Sequence, residues 1–307
     1  MDAILVVVEK VGILFVMVAV GYVCTKMGVL TEKGTSEITS LILWIVTPCL
    51  IISSFLSADS GVNMTTLGIS ALTAGLAHVI PIALSFCLFR KADPARRKTM
   101  RFALIFSNAG FMGVPLVQSV VGNSGVVYAS MFITVFNLVT WTYGYSMMSG
   151  ETRINWRTAI INPGVIGLTV GLPLYLFKVQ LPPIVQEPIQ SFAALNSPLA
   201  MAVVGSYIAR ISFKDFMTDP DVYKVSFARL VVAPLIFLGC MAILRPEHDL
   251  LVGNVIQAAA PVAANAVLFS VQFGQDARFA SKTVAFSTLF SIVSLPLFAA
   301  AAELLAR

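Results

Sequence analysis

Two short stretches hold residues that do not suit the apolar runs around them: Asn108-Ala-Gly-Phe-Met-Gly-Val-Pro-Leu116 and Pro261-Val-Ala-Ala-Asn265. Each combines a helix breaker with a side-chain amide. Gly110 and Gly113 loosen the backbone, Pro115 and Pro261 lack an N–H, and Asn108 and Asn265 carry groups that hydrocarbon cannot satisfy. A broken helix exposes N–H groups at a fresh N-terminus, where positive partial charge attracts a carboxylate or another anion. Pro115 suits the opening turn of such a half-helix. The amides donate and accept hydrogen bonds without formal charge, so an anion they hold can also be released. Asn108, Gly110, Gly113, Pro115, Pro261 and Asn265 are therefore the candidate binding residues for a small organic anion.

Irregular backbone of this kind survives at membrane depth only where protein or a water-filled cavity surrounds it. The 307-residue chain is 58% hydrophobic and 11% charged, with a mean hydropathy of +0.89. Soluble domains carry about 25% charged residues, so the composition is that of an integral membrane protein. Long unbroken apolar runs exclude a transmembrane barrel, whose strands alternate over about ten residues. The sequence predicts an all-α polytopic protein with ten spans near 4–26, 37–57, 64–89, 101–122, 124–148, 158–178, 189–210, 222–244, 250–273 and 279–304. The first apolar segment lacks a basic leader and a small-residue cleavage site, and reads as a span. Cys24, Cys49, Cys87 and Cys240 lie in apolar runs without metal-ligand spacing and read as buried thiols.

With ten spans and both termini outside, sixteen of the 20 Lys and Arg residues fall on one side. Only Lys10, Lys178, Arg245 and Arg307 fall on the other. That asymmetry marks the cytoplasmic face and places the chain in the cytoplasmic (inner) membrane with both termini outside. The net charge of +5 then reports topology, and nucleic-acid binding is not implied. Five spans in residues 1–149 and five in 158–307, joined by a short linker over 150–157, must run in opposite senses through the membrane. Similar features recur at matching places. Trp44-Ile-Val-Thr-Pro48 in the second span answers Leu195-Asn-Ser-Pro198 in the seventh, and the fourth-span motif answers Pro261 to Asn265 in the ninth. Helix breakers at corresponding positions of inverted halves point to a transporter binding site. Pro48 and Pro198 read either as hinge or packing prolines or as part of that site.

Other buried polar groups carry alternative readings. His78, near the middle of the third span, suits a proton relay or a hydrogen bond to a neighbouring helix. Arg229 in the eighth span either snorkels to the cytoplasmic surface or takes a substrate or gating role. Asn137, Asn162, Asn196, Gln118, Gln257 and Gln272 are candidates for interhelical hydrogen bonds. Enzyme readings fare badly. There are two histidines, His78 and His248, with no HExxH motif, no paired intramembrane aspartates and no phosphate-cradling loop. No catalytic residue, metal site or cofactor is expected.

Together these motifs resemble the auxin efflux carrier family, the bacterial relatives of plant PIN proteins. The resemblance rests on Asn108 to Leu116, Pro261 to Asn265, Asn162-Pro-Gly-Val-Ile-Gly167, and Phe273-Gly-Gln-Asp276 running on to Ser294-Leu-Pro296. It implies two inverted five-helix repeats whose fourth and ninth helices break and cross. First, second, sixth and seventh helices would form a scaffold, often a homodimer, and helices 3–5 and 8–10 a moving transport unit. Substrates would be auxin-like molecules or small mono- and dicarboxylates, with Asn108 and Asn265 on the carboxylate and Pro115 and Pro261 marking the crossover. The long cytoplasmic loop of the plant proteins is missing here. The ninth span also lacks the glutamate that helps bind sodium in the related bile-acid symporters, which weighs against sodium coupling. The alternative is a non-transporting membrane sensor for a similar ligand, weakened by the lack of a soluble output domain.

Overall fold

The computed structural model describes residues 3–57, 64–150, 163–210 and 219–306. Residues 151–162, with Arg153, Arg157 and Asn162, lie outside the described residues, as do Lys214 and Arg307, so the expectations resting on them are not carried further. Among the described residues the structure is helical, apart from one antiparallel backbone bridge between Ser107 and Val262.

Twelve helices follow in order: α1 Ala3–Lys26, α2 Glu32–Leu56, α3 Met64–Leu88, α4 Pro94–Ile105, α5 Ala109–Val120, α6 Asn123–Ser149, α7 Pro163–Leu176, α8 Pro183–Ala209, α9 Pro220–Leu244, α10 His248–Ala259, α11 Asn265–Gln272 and α12 Ala277–Leu305. Six of them, α2, α3, α6, α8, α9 and α12, are long and apolar enough to cross a membrane. Residues Gly12–Lys26 of α1, together with α5 and α7, are shorter apolar helices. Large apolar side chains such as Leu72, Val79, Ile243 and Leu297 point outward, each more than half exposed, and suit lipid rather than water. Cys87 is exposed as well, and the other three cysteines are half-buried rather than enclosed. Lipid is as apolar as the protein interior, so an apolar run alone does not tell an inward side chain from an outward one.

The helices start where the sequence supplies caps. Asp93, Asp219 and Asp276 precede α4, α9 and α12, and each accepts a backbone N–H from the first turn. Arg96 then joins these three starts. Its guanidinium donates to Asp219 at 3.0 Å and to Asp276 at 3.0 Å, and it lies over the Phe279 ring. A second polar cluster sits where α6, α10 and α12 meet. Ser124 donates to Asp249 at 2.5 Å, Tyr128 donates to Glu247 at 2.9 Å, and the His248 ring lies between Asp249 at 2.9 Å and Glu303 at 3.2 Å. The hydrogen bond to Asp249, followed by Glu303, raises the His248 pKa above its ordinary value.

Four helices contain a π-helical turn: Ile42–Val46 in α2, Ala109–Gly113 in α5, Thr140–Gly144 in α6 and Ala228–Val232 in α9. Three of these turns end two residues before a proline, namely Pro48, Pro115 and Pro234. A helical proline offers no N–H and its ring presses on the carbonyl four residues back. Widening the preceding turn by one residue relieves both problems and the helix continues. Pro48 and Pro115 are accordingly buried inside running helices. In α8 the helix is interrupted for one residue at Leu195, three positions before Pro198.

Glycine sets the closest packing. A Cβ on Gly21 of α1 would lie 2.3 Å from the Ala202 carbonyl oxygen of α8, and one on Gly205 of α8 would lie 2.0 Å from that of Val18. On α7, a Cβ at Gly167 or Gly171 would meet Ile51 or Phe55 of α2 at 2.9 Å and 2.8 Å. Small residues at such places let backbones approach closely, as membrane helix pairs require. Helices α1, α2, α7 and α8 pack on one another, and α3 to α6 pack with α9 to α12.

Candidate functional site

The chain leaves helical geometry at Phe106 to Asn108, and again at Ala260 to Ala264. The two interruptions face each other. Asn108 N–H donates to the Pro261 carbonyl at 2.7 Å, and Ala263 N–H donates to the Phe106 carbonyl at 2.9 Å. Val262 N–H donates to Ser287 Oγ at 3.1 Å. Backbone groups freed by both breaks thus satisfy one another, as burial demands. Pro261 contributes a carbonyl where its missing N–H is not required. The first break lies seven residues before Pro115, not at it. The π-helical turn absorbs Pro115, so the second half-helix begins at Ala109.

Four helix ends meet here: the C-termini of α4 and α10 and the N-termini of α5 and α11. Arg229, on the π-helical turn of α9, is 2% exposed. Its guanidinium donates to Leu104 O at 3.0 Å, Ile105 O at 3.5 Å and Ala260 O at 3.1 Å, and also to Ala258 O. These are the last carbonyls of α4 and α10. No carboxylate lies within 4 Å of it among the described residues. The snorkelling expectation is therefore overturned: the side chain turns inward because two sets of orphan carbonyls give a planar fork more hydrogen bonds than the interface would.

Beside the junction is a cavity of about 380 Å³. Its polar wall includes Ser107, Asn108, Asn265, Asn137, Thr47 and Gln272. Its apolar wall includes Trp44, Phe111, Phe136, Trp141, Leu268 and Phe269. Trp141 and Phe269 meet edge-on with ring centres 5.2 Å apart. Of the candidate residues, Asn108, Gly110 and Asn265 line this cavity, and Gly113, Pro115 and Pro261 do not. A Cβ on Gly113 would lie 2.1 Å from Gln257 Oε1, so that glycine makes room for a neighbouring side chain. The amides of Asn108, Asn137 and Asn265 make no hydrogen bond within the described protein. Asn108 is nonetheless only 4% exposed. Asn137 and Gln272, expected to bond between helices, instead face the cavity. Gln257 does bond across, to Ala129 O at 3.4 Å. Asn196 has a buried, unpaired Nδ2 beside a small cavity of about 20 Å³, space for one water.

His78 stands apart from the cavity lining. Its Nδ1–H donates to the Ala74 carbonyl of its own helix at 2.7 Å, not to a neighbour, and its ring lies among Phe106, Phe132 and Phe136. An intrahelical carbonyl four residues back is simply the nearest acceptor in an aromatic box. Pro48 and Pro198 line no part of the 380 Å³ cavity, although Thr47 does.

Sequence comparison shows the family to which the chain belongs. The sequence model described as membrane transport protein matches residues 6–155 and 151–299. The chain belongs to that family, the auxin efflux carrier family. An "Uncharacterized transporter" of Methanothermobacter thermautotrophicus is 26% identical over 297 residues, covering 94% of this chain and 96% of the relative. A "Putative malonate transporter" of Rhizobium meliloti is 20% identical over 295 residues, covering 92% and 91%. The protein is a multi-pass membrane transport protein and not an enzyme. A family of this kind implies a small-molecule substrate and a lipid bilayer as partners.

Three parts of the site do not follow from the sequence. Arg229 stands out within its span, but its carbonyl partners come from two distant helices. The aromatic wall leaves no mark, because Trp44, Trp141 and Phe269 are ordinary residues for apolar runs. The π-helical turns also escape a reading by composition, because Pro81 and Pro296 lie in helices without one and the turn at Thr140–Gly144 precedes no proline.

Proposed function

We propose that this protein is a secondary transporter that carries a small organic anion through the cavity at the junction of the two interrupted helices. The observation that carries the reading is Asn108: a buried amide without a partner among the described residues, at a helix N-terminus, facing a cavity with no charged side chain among its described lining residues. The N–H groups of Ala109, Gly110 and Phe111 donate to no carbonyl in the described protein, and Asn265 adds a second amide to the cavity wall at the start of α11, where the Ala266 and Val267 N–H groups donate to the Ala263 and Ala264 carbonyls. A carboxylate placed between the two amides gains charge-assisted hydrogen bonds from both half-helices. Gly113, Pro115 and Pro261 shape the backbone around it. The apolar wall favours an anion with a hydrophobic body, within a class of mono- and dicarboxylates that includes malonate, for which the Rhizobium meliloti relative is named.

In this reading α4 with α5, and α10 with α11, are each one broken span, which gives ten spans in two inverted repeats over 1–149 and 158–307. The glycine-mediated pairs support the symmetry. The contact of α1 with α8 and that of α2 with α7 become the same contact once the first half is laid on the second. Helices α1, α2, α7 and α8 form the scaffold, and the remaining helices move past it as an elevator-like unit held together by Arg96. Both termini lie outside the cytoplasmic membrane. Purified protein in liposomes, offered labelled mono- and dicarboxylates in turn, tests the reading. Saturable uptake of at least one supports it, and binding without flux for all of them sinks it.

A further inference from the structure

We infer that Arg229 sets the anion selectivity of the site without touching the substrate, by cancelling the negative helix ends at the junction. Each helix end carries roughly half an elementary charge, positive at the N-terminus and negative at the C-terminus. Two C-termini and two N-termini meeting at one point leave no net charge. The Arg229 guanidinium is bonded to the last carbonyls of α4 and α10 and, among the described residues, to nothing anionic, so its single positive charge offsets about one negative charge from those two ends. What is left is the positive pair, the N-termini of α5 and α11, beside the unpartnered Asn108 and the cavity. Four helix ends that would attract neither sign become a centre of about one positive charge. A loaded carboxylate neutralises that centre, and the empty site keeps the charge. Arg229 is thus a positioning residue with an electrostatic reach, and it favours anionic over neutral molecules of the same shape. The inference rests on the junction being the anion site proposed above.

The test reads the field directly and needs no knowledge of the substrate. The chain has three tryptophans, two of which, Trp44 and Trp141, line the cavity. In a Trp156→Phe background, their fluorescence is quenched with iodide, an anion, and with acrylamide, which is neutral. Arg229→Gln should lower the ratio of iodide to acrylamide quenching by about tenfold, the scale of one unit charge acting across about 10 Å at an effective dielectric of about 20. Arg229→Lys keeps the charge and loses the fork, so it should hold the ratio within about twofold of the parent even where its melting temperature falls. An unchanged ratio in Arg229→Gln overturns the inference. So does an equal fall in Gln and Lys variants with acrylamide quenching altered in parallel, which is the behaviour of a purely structural pin. Absence of carboxylate flux alongside the expected quenching pattern would instead overturn the transport reading and leave the role of Arg229 standing.

Discussion

Replacing Asn108 by Ala isolates the ligand contact from the fold. The side-chain amide bonds to no group among the described residues, so its removal breaks none of the hydrogen bonds they make. The backbone bonds that hold the junction, from Asn108 N–H to Pro261 O and from Met112 N–H to Asn108 O, are available to alanine unchanged. Stability should therefore move by less than about 1 kcal/mol, since truncating an unpartnered amide at a cavity wall costs little packing. Binding should suffer far more. A hydrogen bond to a carboxylate is worth about 1.5–3 kcal/mol, equivalent to a loss of roughly tenfold to one-hundredfold in affinity. Asn265→Ala should behave alike. If both amides hold one carboxylate, the double variant should lose less than the two single losses added, because they share a partner. The assay is uptake of a labelled carboxylate into proteoliposomes across a concentration series, with thermal melting of the same preparations. Uptake within twofold of the parent in both single variants would refute the site. A collapse in melting temperature matching the loss of uptake would refute the claim that Asn108 is free for ligand.

Arg96→Met should remove the tie between the starts of α4, α9 and α12 and lower stability by roughly 1–2 kcal/mol, because the mostly buried Asp219 loses its guanidinium partner; thermal melting checks it, and Asp219→Asn in the same background should add little. Gly205→Leu should prevent α1 and α8 from closing, since even a Cβ would sit 2.0 Å from a backbone oxygen that cannot yield. The expected result is aggregated protein on size-exclusion chromatography, whereas Gly239→Ala, where a Cβ meets nothing within 4 Å, should elute like the parent. His248 has a raised folded pKa, so its bonds to Asp249 and Glu303 stabilise fully below the ordinary imidazole value and are lost as pH rises through the folded one. The ring is half exposed and screened, so melting should drop by less than about 1 kcal/mol equivalent between pH 6 and 8.5, and His248→Gln should flatten that slope.

How much of this is legible in the sequence differs by scale. Apolar length and composition reveal a helical membrane protein, because the bilayer imposes its thickness on every span. The two amide-and-breaker motifs locate the interruptions, because hydrocarbon offers a side-chain amide no partner and so drives it toward a cavity or another helix. Proline is the poor guide. Pro48 and Pro115 are accommodated by a widened turn, and the actual break at Phe106 to Asn108 contains no proline at all. It is held open by Val262 and its neighbours, which are remote in the chain and invisible to any local window. Arg229 shows the same limit. Its position within a span is plain, but the direction of its side chain depends on carbonyls from α4 and α10.

The bridge between Ser107 and Val262 also has a history in the life of each molecule. Its partners stand about 155 positions apart, so it cannot form until half the chain has been made between them. While the ribosome works through the intervening residues, the first interruption has no mate, and its exposed N–H and carbonyl groups must find water or a temporary protein partner. The second interruption supplies that mate only when residues 261–263 and the Ser287 hydroxyl have arrived. A nascent chain ending before α10 would be a bundle of inserted helices with no site in it. The binding centre is therefore completed only when the second half of the chain is nearly made.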